Sequence, residues 1–153
     1  IKSSMQFLGR VLEVNTIELS KYFNIDENHF LKLKLNTKLC SDILLKSKFK
    51  FFPNDIAEDF KGELNILDGF MGYKEAYYQL VYEITERVYI GITRILDSKN
   101  NLKDIYISGG FKKNEVFIEF LRQMMPKQNI LFPEGKNASA LGAAMLMKEY
   151  LDL

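Results

Sequence analysis

The sequence predicts an α/β domain, helices packed on a small and at least partly parallel sheet, from three observations. A short apolar run, Ile105, Tyr106 and Ile107, leads into Ser108-Gly109-Gly110 and then a long amphipathic segment. A second apolar run, Ile130, Leu131 and Phe132, follows and is closed by Pro133 and Gly135. Last comes a small-residue run, Ala138, Ser139, Ala140, Leu141, Gly142, Ala143 and Ala144. Strand, glycine turn, helix, strand, loop and helix in that order make a parallel β-α-β-α unit over residues 104–144.

Upstream, residues 3–10 form a short stretch in which Gly9 interrupts regularity. A helix follows, with Val14, Ile17, Leu19, Tyr22 and Phe23 as its approximate apolar stripe. Residues 24–28 are a turn or a helix start. Leu31, Leu33 and Leu35 alternate with polar residues, the period of a half-buried strand. A short helix begins within residues 41–45. Lys46, Lys48 and Lys50 alternate with Phe49, Phe51 and Phe52, read as a solvated strand face with aromatic rings turned inward. Pro53 ends that run. Asp55, Glu58 and Asp59 are placed at a helix start, where negative charge meets the helix dipole, rather than at a metal. His29, the one histidine, has no partner beside it in sequence and takes a surface or capping role.

Residues 68–72 punctuate the chain with two glycines but lack the Gly-Lys-Ser/Thr ending of a phosphate loop, so they serve as a linker. Over residues 73–96 the pattern is helical. Tyr77, Leu80, Val81, Ile84, Val88, Ile92 and Ile95 recur at steps of three and four, and Glu83 and Arg87 are spaced as an ion pair on the opposite face. Gly91 costs about 1 kcal/mol there relative to alanine, which a close packing contact explains. Residues 98–103 are a polar loop. Val116, Phe117, Phe120, Leu121 and Met124 give the core stripe of the next helix, which Pro126 stops. A final helix buries Met145, Leu146 and Leu151.

At 153 residues the chain is one domain long and can bury a core. Its net charge of +1 makes no electrostatic case for nucleic acid or an acidic membrane. Cys40 is the single cysteine, which excludes an intrachain disulfide and a multi-cysteine metal site and fits the cytoplasm. No apolar run reaches bilayer length. The chain begins at Ile1 without methionine, which is compatible with processing or a tag and also fits a fragment.

Glycine lets a flat ligand approach bare main chain, and the crevice at the carboxyl ends of parallel strands is where open α/β sheets bind ligands. Lys112, Lys113 and Asn114 follow the Gly109-Gly110 pair, and Asn114 either caps the helix or offers its amide to a purine edge. The run Ile107-Ser108-Gly109-Gly110-Phe111-Lys112-Lys113-Asn114, with the later run Ala138 to Ala144, resembles the C-terminal lobe of FGGY-type carbohydrate kinases. These are members of the actin-like ATPase superfamily, whose two ribonuclease-H-like lobes close over ATP and a sugar. The likeness is specific over about a quarter of the chain. The Phe7-Leu8-Gly9-Arg10 run also looks like a segment of some subfamilies. Where the family commonly carries an acidic residue or glutamine before the alanine-rich helix, this chain has Asn137.

The resemblance implies that Gly109, Gly110, Phe111 and Asn114 bind the cofactor, ATP, the glycines against the adenosine and Asn114 near the adenine. It implies a single partial domain, with residues 1–70 irregular or inserted and 71–153 the nucleotide side. The phosphate loops, the carboxylates that hold magnesium, the catalytic base and most sugar contacts would belong to the rest of a longer parent. The chain alone is then inactive. Within the parent, the implied reaction moves the ATP γ-phosphoryl group to a sugar hydroxyl. Two other readings stand beside it. One is an actin-like activator of radical dehydratases, which needs thiolates for an iron–sulfur cluster and has only Cys40 to offer. The other is a non-catalytic interaction module, a helix-rich lobe that has lost nucleotide binding and serves only as an interface. The kinase fragment, by contrast, is expected to expose an apolar face where its missing strands belong, a patch that favours a homodimer or aggregation.

Overall fold

One long helix occupies the centre of the molecule, and most of the other elements lean on it. The computed structural model describes residues 7–46, 49–95 and 103–133. Within them the elements run α1 (Leu8–Tyr22), α2 (Thr37–Lys46), α3 (Tyr73–Ile95), β1 (Asp104–Tyr106), α4 (Glu115–Met124) and β2 (Asn129–Leu131). Short 3-10 turns lie at His29–Lys32, Leu67–Gly69 and Gly109–Lys113. Helix α3 packs against α1, α2 and α4, and α2 also meets α4. The described architecture is therefore mixed α/β, mostly helical, with one two-stranded parallel sheet. No helix among the described residues is long and apolar enough to cross a membrane.

The apolar stripe of α3 explains its central place. Leu80, Val81 and Ile84 are fully buried, each contributing roughly 1.5–3 kcal/mol by leaving water. Helix α4 presents Val116, Phe117, Phe120 and Leu121 to the same core, as its periodicity predicts. Strand β1 pairs with β2 in parallel, Ile105 opposite Ile130. The strands lie about one residue earlier than the apolar runs suggest, although Ile107 still donates to the Leu131 carbonyl at 2.9 Å.

The first seventy residues are more regular than the sequence implies. Gly9 does not interrupt α1, which already starts at Leu8. Its buried face is Leu8, Val11, Asn15, Thr16, Leu19 and Ser20, so of the expected stripe Leu19 alone is fully buried, while Tyr22 is exposed. The reason is polar. Asn15 donates to the carbonyls of Val11 and Phe60, each at 2.7 Å, and accepts from Gly62 N–H at 2.8 Å, which tethers a distant loop to α1. Phe60 sits at φ +62°, a strained angle for a bulky residue, beside that tether.

The expected strand at Leu31, Leu33 and Leu35 is instead a 3-10 turn followed by extended chain without a strand partner among the described residues. Tyr78 of α3 holds this segment, donating to the Lys34 carbonyl at 3.1 Å and accepting from Asn36 N–H at 2.9 Å. His29 lies edge-on to the Tyr73 ring, with centroids 5.2 Å apart. Asp55, Glu58 and Asp59 are exposed in loop, not at a helix start.

Residues 49–54 overturn the surface ion pair expected of Glu83 and Arg87. Glu83 is 3% exposed, and its carboxylate accepts the N–H groups of Phe51 at 2.8 Å and Phe52 at 3.0 Å. One turn before it, Gln79 donates to the Phe49 carbonyl at 2.8 Å. One turn after it, Arg87 donates to the Asn54 carbonyl at 3.0 Å and lies over the Phe52 ring. Three side chains of one helix face thus replace the strand that would otherwise pair with this backbone. Phe51 and Phe52 turn inward as expected, but Phe49 is exposed and the segment is loop rather than strand, held by side chains. The small-residue run 138–144, Gly135, Asn137, Lys48, the polar positions 98–102 and the final helix lie outside the described residues.

Removing the Glu83 carboxylate strands two buried N–H donors, so Glu83→Ala lowers stability by roughly 2–5 kcal/mol in urea denaturation. Burial raises the Glu83 pKa above the ordinary glutamate value, although the bonds from Gln79, Phe51 and Phe52 pull it down. The folded chain therefore holds this proton more readily than the unfolded chain. The linked stabilisation is full below the ordinary value and is lost as pH rises through the folded one. Denaturation midpoints followed across that window fall with rising pH in the native chain, and Glu83→Gln flattens the fall.

Candidate functional site

At the carboxyl end of β1 the chain turns through Gly109, whose φ of +71° lies in the left-handed region that glycine enters without a Cβ penalty. The 3-10 turn Gly109–Lys113 then hands over to α4. Asn114 is the cap. Its Oδ1 accepts the Phe117 N–H at 3.1 Å, and its Nδ2 donates to the Tyr77 hydroxyl of α3 at 3.1 Å. Both ends of this amide are engaged, one by its own helix and one by the central helix.

A pocket of about 540 Å³ opens beside this turn, within the range of small-molecule sites. The turn and α4 contribute Gly110, Phe111, Lys113, Asn114, Glu115 and Val116, and α3 contributes Tyr77. The remaining wall comes from α1 and the 3-10 turn after it, through Gly9, Leu12, Phe30, Leu31 and Leu33. Three of the four site residues expected from sequence, Gly110, Phe111 and Asn114, therefore meet at one pocket. Gly109 shapes the turn and is not part of the lining.

Two glycines expose bare backbone here. A Cβ built on Gly9 or on Gly110 meets no atom within 4 Å. At Gly110 this leaves main chain open to an approaching ligand, as the glycine argument requires. Aromatic rings brace the pocket from behind. Phe30 stacks on Tyr77 with centroids 5.8 Å apart, Tyr77 stacks on Tyr73 at 6.0 Å, and Phe111 lies against Phe117 at 4.6 Å. Burial raises the Tyr77 phenol far above its ordinary pKa, so it remains protonated at any physiological pH.

The α1 side of this pocket escaped sequence reasoning. The alternation of Leu31 and Leu33 has strand period, whereas Tyr78 instead tethers the backbone just after them at Lys34 and Asn36, which no local pattern encodes. Gly9, the second residue of α1, forms a bare patch of pocket wall with open space where a Cβ would stand, and its place near a helix start gave no local signal of this.

A second cleft, about 430 Å³, lies on the other face of the Glu83 clamp and includes Lys50, Asp55, Glu86 and Arg87. Its arginine already binds two carbonyls and covers a ring, so this cleft is chiefly the surface of the clamp. Among the described residues no three His, Cys, Asp or Glu side chains gather to hold an ion, so no residue here is assigned to magnesium. Cys40 is buried in the core, and burial pushes its thiol up to about 12, leaving it protonated and unreactive.

If Asn114 is chiefly a cap, Asn114→Ala lowers stability by about 1–2 kcal/mol and Asn114→Asp, which keeps the acceptor, costs far less. Chemical denaturation of the two variants checks this.

No protein-family model, no curated protein and no solved structure matches this chain.

Proposed function

We propose that this chain is the adenosine-side part of the C-terminal lobe of an FGGY-type carbohydrate kinase, a ribonuclease-H-like lobe of the actin-like ATPase superfamily. The supporting observation is the pocket at the end of β1, where Gly110, Phe111 and Asn114 come together around bare main chain. The base and ribose of ATP enter between the glycine turn and the wall built from α1 and Phe30. The phosphates extend toward the rest of a longer protein, which supplies the sugar, magnesium and the base that accepts the hydroxyl proton. In that reaction the base pocket touches no reacting atom. It supplies remote binding energy that places the γ-phosphoryl group, the chief demand of phosphoryl transfer. By itself the chain binds nucleotide and transfers nothing.

Fluorescence titration with mant-ADP tests the reading. The account predicts saturable binding that unlabelled ADP reverses. Gly9→Leu and Gly110→Leu place side chains in open pocket space, so each weakens binding at least about ten-fold while circular dichroism and thermal unfolding remain those of the native chain. Absence of saturable binding at millimolar mant-ADP contradicts it.

A further inference from the structure

We propose that the Tyr77 hydroxyl is a ligand contact of this pocket, donating its hydrogen to a ring nitrogen of the bound adenine. The proposal depends on the nucleotide reading above and adds to it a residue of α3 that reads the base. Its basis is the direction in which two hydrogen bonds run. The Phe117 N–H can only donate, so the amide oxygen of Asn114 faces it, at 3.1 Å. That settles which way round the amide stands and turns its Nδ2 toward Tyr77. Nδ2 in turn can only donate, so the Tyr77 oxygen accepts, at 3.1 Å. The hydroxyl hydrogen is therefore directed away from Asn114, at the end of a chain whose polarity a backbone N–H sets.

Tyr77 and Asn114 line the pocket together. Tyr77 is 2% exposed, and its ring stacks on Phe30 and on Tyr73, so the hydroxyl is a fixed donor rather than a mobile surface group. Burial raises its pKa, and the hydrogen is retained at physiological pH. Around it, Gly110, Phe111, Leu12, Leu33 and Val116 form a largely apolar wall suited to a flat heterocycle. A ring nitrogen brought against that wall gives up its water, and a donor already in place offsets the loss. Adenine carries such acceptors at N3 and N7. The place of Tyr77 in the apolar stripe of α3 conceals this role in the sequence, because the ring serves the core while the hydroxyl reaches the pocket.

Displacement of mant-ADP by ADP and by its 1-deaza, 3-deaza and 7-deaza analogues, in the native chain and in Tyr77→Phe, tests the proposal. Each analogue replaces one ring nitrogen by C–H. At least one should bind the native chain about five- to thirty-fold more weakly than ADP. Tyr77→Phe keeps the ring and its stacking, and it should weaken ADP by a similar factor. The two losses should not add, so that ADP and the weakened analogue bind Tyr77→Phe within about two-fold of each other. A merely structural tyrosine would weaken ADP and every analogue alike and leave their ratios as in the native chain, and that pattern overturns the proposal. Native binding of all three analogues within about two-fold of ADP overturns it too, without any variant having to fold. If mant-ADP binds nowhere, the nucleotide reading fails and this inference falls with it. If mant-ADP binds but no analogue is distinguished from ADP, the nucleotide reading stands and the Tyr77 contact alone is wrong.

Discussion

The buried carboxylate of Glu83 is the constraint on which much of this structure depends. A charged group leaves water at a cost of several kcal/mol unless hydrogen bonds replace its hydration. Here two successive backbone N–H groups and the Gln79 amide offset part of that cost, and burial still holds the Glu83 pKa above its ordinary value. The exchange works in both directions, because residues 49–54 have no strand to pair with among the described residues. Without the Glu83 carboxylate, the N–H groups of the buried Phe51 and Phe52 would lose their acceptor.

The same device recurs around α3 and α1. Tyr78 holds the backbone at Lys34 and Asn36, Asn15 holds Phe60 and Gly62, and Tyr77 holds Asn114. Gly62 shows how closely these loops are drawn in, since a Cβ there would come within 3.0 Å of the Phe51 carbonyl. A central helix with polar groups on its buried faces can therefore organise irregular chain that a larger sheet would organise elsewhere. Its consequence for function is positional. Tyr77 fixes the glycine turn, and Tyr78, one residue on, fixes the segment that brings Leu33 to the same pocket.

Regular periodicity carried the parts of this fold that were legible from sequence. Helix α3 and the stripe of α4 follow from spacing that reports directly on burial. The parallel β1–β2 pair, exposed at both ends of each strand, follows instead from the order of strand, glycine turn, helix and strand. The glycine turn was legible for the same local reason, since Gly109 needs an angle that other residues avoid. What the sequence concealed was tertiary. Glu83 and Arg87 have the spacing of a solvated ion pair, and nothing local says that a distant loop will take both. The alternation of Leu31, Leu33 and Leu35 has strand period, but a strand needs a neighbour, and Tyr78 reached that backbone instead. Asn15 looked like an ordinary polar position on a helix because its partners lie more than forty residues away.

The central claim is that the turn after β1 and the start of α1 form one ligand site. Residue-resolved amide shifts in an NMR titration of the chain with ATP test it most directly. The account predicts that Gly9, Gly110, Phe111 and Lys113 shift together along one binding curve, while Phe51 and Phe52 in the Glu83 clamp stay still. Shifts confined to Lys50, Asp55 and Arg87 would place the nucleotide in the other cleft, and that result would contradict the account.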